Sequence, residues 1–327
     1  MGRDTDWEGV RLHVVTGKGG TGKTTVAAAL ALALASRGRR TLLIEVEGRQ
    51  GIAQLFDVPP LPYEERKVAV APGHGEVFAL AVDAEQALLE YLEMFYRLGR
   101  AGRTLTRFGV IDFATTIAPG MRDVLLTGKV CEAVRRRARG RYVYDAVVLD
   151  APPTGRITRF LNVTTEVAGL ARVGPVRHQA DAVAGVLHSP ETAVHLVTLL
   201  EEMPVQETLD GVAALAAVDV PVGGVVVNMV RPPLLREADL NAAAKGRLTR
   251  RNVSAGLAAA GMARSAVVTA LLDEAREHAE RVALEQAEWA EIDELGRPTY
   301  ELPLFTDGVD LGGLYALADA LCEQGAG

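Results

Sequence analysis

The sequence predicts an α/β fold: a mostly parallel β-sheet with helices on both faces and a helical subdomain inserted into it. Short apolar runs rich in β-branched residues alternate with segments of helical periodicity, which is the order of a parallel sheet. A glycine-rich loop joins the first apolar run to an alanine-rich helical stretch. A segment of helical pattern between the third and fourth runs is much too long for an ordinary crossover.

Seven strands are predicted from the apolar runs. Their connections should be right-handed crossovers, and a ligand of such a sheet binds at the carboxyl ends of the strands. The predicted strands are residues 12–16, 41–46, 77–82, 144–150, 193–199, 222–228 and 298–302.

The glycine-rich loop after the first strand reads GKGGTGKTT. Its G-x-x-x-x-G-K-T spacing is that of a P-loop NTPase, because the glycines let backbone N–H groups converge on phosphates. We expect Lys23 to reach the β- and γ-phosphates and the Thr24 hydroxyl to complete a Mg²⁺ shell. A chance match is the alternative, and the flanking strand and helix argue against it. The residues predicted to bind the nucleotide here are Gly17, Gly19, Gly20, Thr21, Gly22, Lys23, Thr24 and Thr25.

Lys18 occupies the second position of this loop, where an ordinary P-loop needs no cation. With it, the loop resembles the deviant form of the P-loop ATPases that dimerise face to face. In those proteins the corresponding lysine reaches the partner's nucleotide, so the resemblance implies a catalytic role for Lys18 across a dimer interface. The alternative is a solvated surface lysine.

Composition excludes several classes of protein. The chain has 327 residues, 49% of them hydrophobic, which suffices for a sizeable core. A net charge of −7 weighs against a general nucleic-acid binder. The longest strongly apolar run, Val26 to Ala35, is too short to cross a membrane, and the first residues lack a secretory pattern. We therefore expect a cytoplasmic protein with no transmembrane segment.

The two cysteines, Cys131 and Cys322, lie far apart and form no C-x-x-C motif. They exclude a disulfide framework and a four-cysteine zinc site within the chain.

The inserted helical subdomain is predicted at residues 83–141, with residues 162–190 as a second contributor, and the chain is otherwise one domain over residues 1–327. A third helical region, residues 232–295, carries charges of alternating sign and should be a solvated helix with i,i+3 and i,i+4 ion pairs.

Five arginines end the insert, and we interpret them as a solvated helix C-terminus, with an acidic partner or anionic surface as the alternative. They are Arg135, Arg136, Arg137, Arg139 and Arg141.

Asp150 ends the fourth predicted strand and precedes a stiff proline- and glycine-containing loop. An acid at the carboxyl end of a strand near the P-loop is where a P-loop NTPase holds Mg²⁺ through water. Asp150 is therefore the second predicted metal ligand, beside Thr24.

These motifs together resemble the arsenite-pump and tail-anchored-protein-targeting ATPases, the ArsA-like branch of the deviant P-loop ATPases, over nearly the whole chain. The resemblance implies binding of ATP and Mg²⁺, with Asn228 reading the adenine and Pro303 in the nucleotide site. Without it, Asn228 could equally be a strand-end cap. Besides GKGGTGKTT, the motifs that carry the resemblance are Asp150 to Arg159, Asn228 after Val225 to Val227, Ala118 to Gly120, Leu302 to Phe305, and Glu201 to Glu207.

Two departures from the family pattern affect the switches. The first switch of the family has Asp-Pro-Ala-His, whose aspartate positions the attacking water, whereas this chain has Glu47-Gly48-Arg49-Gln50. Glu47 is then the predicted water-positioning residue. Its extra methylene would slow hydrolysis, since about 1 Å of misplacement can cost about 10²-fold in rate. Arg156 replaces the histidine of the second switch, so the way in which this loop communicates with the helices is open.

The sequence does not indicate which ion or protein such an ATPase would transport or carry. An arsenite pump uses three thiolates, and the insert offers Cys131 alone. Tail-anchor carriers use a methionine-rich groove, whereas Met94 and Met121 are the only methionines between residues 83 and 190.

Three functional hypotheses follow. The first is a Mg²⁺-dependent ATPase that dimerises with a copy of itself or with a paralogue and couples the nucleotide to the helical subdomain. The second is a positioning factor like the partition or division-site ATPases, but the tail from Leu311 to Gly327 has no Lys or Arg for an anionic membrane. The third is a weakly active subunit that regulates a paralogous ATPase, and Glu47 is the feature that favours it.

Overall fold

The computed structural model describes residues 7–46, 48–96, 121–162, 175–262 and 265–326. Within this part of the chain an eight-stranded sheet has the order β10-β9-β8-β1-β7-β2-β4-β3, and a separate two-stranded hairpin pairs β5 with β6. The strands are β1 Leu12–Gly17, β2 Arg40–Glu45, β3 Arg66–Val70, β4 Glu76–Ala81, β5 Arg137–Ala138, β6 Arg141–Tyr142, β7 Ala146–Asp150, β8 Thr192–Thr198, β9 Val222–Val230 and β10 Thr299–Pro303.

The sheet is parallel except at one edge, which confirms the predicted fold class. All seven predicted strands are present, and β1 lies between β7 and β8 with every residue buried. The eighth strand, β3, is antiparallel to β4 and was not predicted. Because the other strands are parallel, the carboxyl ends of β1, β7 and β2 meet at one edge of the sheet.

The described helices cover both faces of this sheet. They are α1 Lys23–Ala35, α2 Gly51–Leu55, α3 Ala84–Tyr96, α4 Met121–Arg135, α5 Thr154–Leu161, α6 Pro175–Leu187, α7 Glu202–Ala216, α8 Glu237–Ala244, α9 Arg250–Ala259, α10 Ser265–Glu294 and α11 Leu311–Glu323. Residues on β1 alternate between the two cores, so that Val14 packs on one face and Val15 on the other.

Helix α1 is apolar on all sides because it is enclosed on all sides. Every residue from Val26 to Ala35 is buried, between the sheet and α11. A helix that is hydrophobic all round belongs in the interior of a protein rather than on its surface. The helix that follows the glycine loop is thus anchored in the centre of the fold.

The predicted insert contains α3 and α4, which pack on each other, and α6, which packs on α4. Their side chains share a core with the sheet, for example Val124 and Val183 with Val147. Two parts of the predicted insert lie outside the described residues. They are residues 97–120, which include the expected motif Ala118 to Gly120, and residues 163–174 of the second contributing segment.

The interpretation of the five arginines as one helix C-terminus holds for Arg135 and is wrong for the other four. Helix α4 ends at Arg135, and the chain turns back through the hairpin of β5 and β6. Arg136 is half-buried and forms ion pairs of 2.7 Å with both Glu65 and Glu132, which raise the pKa of its guanidinium. The hairpin forms because Arg139 and Gly140 adopt positive φ angles, as a tight two-residue turn requires.

Candidate functional site

The glycine loop connects β1 to α1 at the carboxyl edge of the sheet. Gly17 and Gly22 both have positive φ angles and close neighbours. A Cβ at Gly17 would collide with the Val197 carbonyl oxygen, and a Cβ at Gly22 would collide with the Asn228 amide. Both positions therefore need glycine, and the loop passes close to β8 and β9. Gly19 and Gly20 are exposed, whereas Thr25 lies in the first turn of α1.

Hydrogen bonds to one carbonyl oxygen hold the loop closed on itself. The Lys18 carbonyl accepts from the Thr21 hydroxyl at 2.9 Å and from the Lys23 ammonium at 3.1 Å. Thr21 is 1% exposed, so its side chain lies inside the loop and stabilises it there. The Lys23 ammonium thus lies over the loop in which the phosphates are expected.

The two predicted metal ligands are in direct contact. Thr24 donates a hydrogen bond from Oγ1 to Asp150 Oδ2 at 2.7 Å. Asp150 ends β7, is 8% exposed and is the register partner of Val15 on β1. A hydroxyl beside a carboxylate provides the hard oxygen ligands that Mg²⁺ prefers, and Mg²⁺ sites commonly use one or two carboxylates with substrate phosphates and waters. The residues present therefore fit a Mg²⁺ site.

A cleft of about 250 Å³ opens in front of these residues. It brings together side chains from the glycine loop and from the ends of β2 and β7. The residues that line it are Gly20, Gly22, Lys23, Thr24, Glu45, Arg49, Asp150 and Ala151.

Glu45 is a site residue that the sequence analysis missed. It ends β2 beside Asp150 on β7, as its register partner, and it is 2% exposed. Its Oε2 accepts a hydrogen bond from the Ile52 backbone N–H at 3.4 Å, whereas its Oε1 is buried and accepts none from the described residues. The signal was present in the sequence as an acid at the end of an apolar strand, the same signal that identified Asp150.

Lys18 forms an ion pair within the chain. Its Nζ lies 3.1 Å from Glu207 Oε1, and the side chains are 28% and 35% exposed. Glu207 Oε2 also accepts a hydrogen bond from the Thr154 hydroxyl at 3.0 Å. One carboxylate on α7 therefore joins the glycine loop to the first residue of α5, where the predicted second switch becomes helical.

The loop after β7 is tied to β1, since Thr16 donates a hydrogen bond to the Pro152 carbonyl oxygen at 2.7 Å. Arg156, which departs from the family pattern, lies in α5 and is exposed. Glu47 lies outside the described residues, so its predicted role in positioning water stays a prediction.

Asn228 is in contact with the glycine loop. Its amide Nδ2 donates to the Thr21 carbonyl oxygen at 2.9 Å, and the residue is 5% exposed. Pro303 ends β10 and is the register partner of Val230 on β9. Both predicted base-site residues thus lie at the carboxyl ends of neighbouring strands, on the side of the loop toward the sheet edge.

Three further features of the described part of the chain bear on function: possible metal clusters, the reactivity of a cysteine and possible membrane-spanning helices. No group of three or more His, Cys, Asp or Glu side chains there is arranged to hold a metal ion. Cys131 is buried, and burial raises the pKa of its thiol to about 12. None of the helices that the structure describes is both long enough and apolar enough to span a membrane.

Comparisons with known proteins agree with this geometry. Residues 10–173 match the family model described as anion-transporting ATPase. The chain is 56% identical to ATPase BagA of Mycobacterium tuberculosis over 319 residues, 97% of this chain and 94% of that protein. It is 27% identical to the arsenical pump-driving ATPase of Acidiphilium multivorum over 250 residues, 70% of this chain and 41% of the relative. It is also 28% identical to ATPase get3 of Schizosaccharomyces pombe over 181 residues, 53% of this chain and 51% of that protein.

Proposed function

The chain belongs to the anion-transporting ATPase family, and we propose that it is a Mg²⁺-dependent ATP hydrolase that acts as a dimer. The observation that carries the proposal is the contact between Thr24 and Asp150 beside Lys23, in a cleft at the carboxyl edge of the sheet. Phosphoryl transfer to water depends mainly on positioning and on charge stabilisation, and this cleft offers both.

In this proposal each predicted site residue has its own role. Lys23 and the loop amides hold the phosphates, and Thr24 and Asp150 hold Mg²⁺, which when bound neutralises charge on the phosphate oxygens. Asn228, whose Nδ2 donates to the Thr21 carbonyl oxygen, reads the adenine. Glu47 accepts a hydrogen bond from the attacking water and so orients it.

The form of the loop and the position of Lys18 support the proposed dimer. The side chain is partly exposed, and its partner Glu207 is too, so the ion pair can exchange for a phosphate of another subunit. The second subunit is a copy of this chain or a paralogue. The change of partner would reach α5 through Thr154, and α5 is in contact with α4 of the helical region. This path would couple the nucleotide to that region.

Two other functions, a positioning factor and an arsenite-transporting ATPase, receive less support. A positioning factor needs a free amphipathic or basic tail, whereas α11 buries Leu314, Leu317 and Leu321 against α1. Arsenite needs thiolates, whereas the pKa of the Cys131 thiol is raised by burial. A regulatory subunit of a paralogous ATPase remains the second candidate, and the replacement of the family's first-switch Asp-Pro-Ala-His by Glu47-Gly48-Arg49-Gln50 favours it.

ATP turnover distinguishes these candidates. The purified chain should be measured alone and with each paralogue, with Mg²⁺ and with EDTA. Turnover that requires Mg²⁺ supports the hydrolase. Nucleotide binding without turnover in every pairing would instead support the regulatory subunit, and nucleotide-dependent binding to DNA or liposomes would support the positioning factor.

A further inference from the structure

Glu45 occupies an unusual position for a carboxylate. It is 2% exposed at the end of β2, with Leu43 and Ile44 before it in the core of the sheet. Burying a charged group away from water is costly unless the group is paired or hydrogen-bonded. The structure supplies one long hydrogen bond to Oε2, from Ile52 N–H at 3.4 Å, and none to the buried Oε1 from the described residues.

The second observation is where this carboxylate lies. Glu45 lines the same cleft as Lys23, Thr24 and Asp150, and it is the register partner of Asp150 on the neighbouring strand. Two carboxylates at the ends of adjacent strands repel each other, and both repel the phosphates of a nucleotide in the cleft. A divalent cation between the carboxylates and the phosphates would remove this repulsion.

We propose that Glu45 is a second carboxylate of the Mg²⁺ site, holding the water ligands of the ion beside Asp150. The proposal rests on the proposed function, since the ion is that of the bound Mg·nucleotide. The contacts of Asp150 and Glu45 suggest different roles for the two carboxylates. Asp150 accepts from Thr24, which would be the direct ligand, whereas Glu45 has one oxygen on Ile52 and the other buried beside the cleft without a hydrogen-bond partner among the described residues. Outer-shell partners of this kind change metal affinity by about 10- to 100-fold.

A competing explanation is that Glu45 only fixes α2 to the end of β2 through Ile52. The two explanations predict different responses of nucleotide binding to Mg²⁺. A metal-site carboxylate strengthens binding when Mg²⁺ is present and weakens it when Mg²⁺ is absent, because the bare charge then faces the phosphates. A purely structural residue affects both conditions in the same direction.

The test uses Glu45→Gln, which keeps the length of the side chain and an oxygen for Ile52. The matched control is Asp145→Asn, a carboxylate that accepts from the Arg40 N–H at the amino end of β7, far along the strand from the site. Affinity for a fluorescent ADP analogue is measured in EDTA and over a Mg²⁺ titration. Mn²⁺ binding to the protein–ADP complex is followed by electron paramagnetic resonance, and thermal melting verifies the fold.

For Glu45→Gln we expect the Mg²⁺ midpoint to rise by about 10-fold or more. The affinity in EDTA should be unchanged or tighter, and Asp145→Asn should behave as the wild type. An unchanged Mg²⁺ midpoint, or an equal loss of affinity with and without Mg²⁺, would overturn the role of Glu45. Failure of the wild type itself to bind nucleotide, or to respond to Mg²⁺, would instead overturn the proposed function.

Discussion

Lys18 and Glu207 form an ion pair of 3.1 Å in which the Glu207 carboxylate also accepts a hydrogen bond from the Thr154 hydroxyl. A lysine that acts on a neighbouring subunit must leave this partner when the dimer closes. Departure of the ammonium changes the charge beside Thr154, at the start of α5. In the proposed dimer, closure and movement of the second switch would therefore be linked through one side chain.

The first prediction concerns Lys18→Ala. This variant should still bind Mg·ATP through Lys23 and the loop amides, but it should not form the ATP-dependent dimer. Turnover should fall by about 10³- to 10⁵-fold, as it does in other NTPases that lose a cation acting in trans. Light scattering gives the assembly and phosphate release gives the rate, each with a paralogue present where one exists.

Two further variants test whether the effect is specific to Lys18. Lys245→Ala removes an exposed lysine that follows the last residue of α8, and it should change neither assembly nor rate. Glu207→Gln weakens the hold on Lys18, and it should lower the ATP concentration at which the dimer forms. Normal ATP-dependent assembly by Lys18→Ala would show that this lysine does not cross an interface.

The second prediction is that Lys23→Ala abolishes productive ATP binding while the protein stays folded. The Lys23 side chain is partly buried over the glycine loop and donates a hydrogen bond to the Lys18 carbonyl oxygen of that loop, outside the apolar core, so its loss should leave the core intact. Nucleotide titration and circular dichroism together measure the effect. Wild-type affinity for Mg·ATP in the variant would mean that the glycine loop does not hold phosphates.

The third prediction concerns Asp150→Asn. The amide keeps the contact to Thr24 but loses the charge, so nucleotide binding should respond much less to Mg²⁺ while binding in EDTA changes little. Titrations with and without Mg²⁺ in both proteins provide the comparison. If the variant responds to Mg²⁺ as the wild type does, Asp150 does not belong to the metal site.

The sequence was sufficient for the site motifs because each is local. A loop of nine residues and an acid after an apolar strand can be recognised by spacing alone, and the structure brings Thr24 and Asp150 into contact. Their roles at a nucleotide stay predictions. The positions of the buried parallel strands were equally accessible. Such strands are continuous apolar runs, and β1 and β7 are examples.

Features that depend on pairing between distant segments were missed. Strand β3 reads RKVAV and is half-exposed on an antiparallel edge, so it lacks the apolar run that identifies a buried strand. Glu45 carried a local signal, as an acid at the end of an apolar strand, but its position beside Asp150 depends on the register between β2 and β7. The arginines after α4 were assigned to a helix because charge alone does not distinguish a helix end from the hairpin that Arg139 and Gly140 turn.

The fourth prediction concerns Glu47→Gln. If Glu47 positions the attacking water, the variant should bind ATP and assemble but should hydrolyse slowly, so that an ATP-bound dimer accumulates. Size-exclusion chromatography after incubation with ATP, followed by nucleotide extraction, measures the trapped species. Full activity in Glu47→Gln would show that another group orients the water.

The fifth prediction concerns a buried histidine pair at the opposite end of β1 from the glycine loop. His13 Nδ1 and His195 Nε2 are 3.1 Å apart, and the Trp7 ring stacks on both imidazoles. Gly224 N–H donates to His195 Nδ1 at 3.3 Å, which assigns the proton of a neutral His195 to Nε2. Burial lowers the pKa of His195 to about 4 and that of His13 well below its usual value.

These lowered pKa values make the protein less stable in acid. Between about pH 6.5 and pH 4 an unfolded chain binds protons on both histidines that the folded chain does not, so the free energy of unfolding falls as pH falls. For His195 alone the loss is about 2 kcal/mol between pH 7 and pH 5. Urea unfolding at the two pH values measures it. In His195→Gln the difference between pH 7 and pH 5 should shrink whatever the stability at pH 7, whereas His188→Gln, which replaces an exposed histidine, should keep it. An undiminished difference in His195→Gln would place the acid sensitivity elsewhere in the chain.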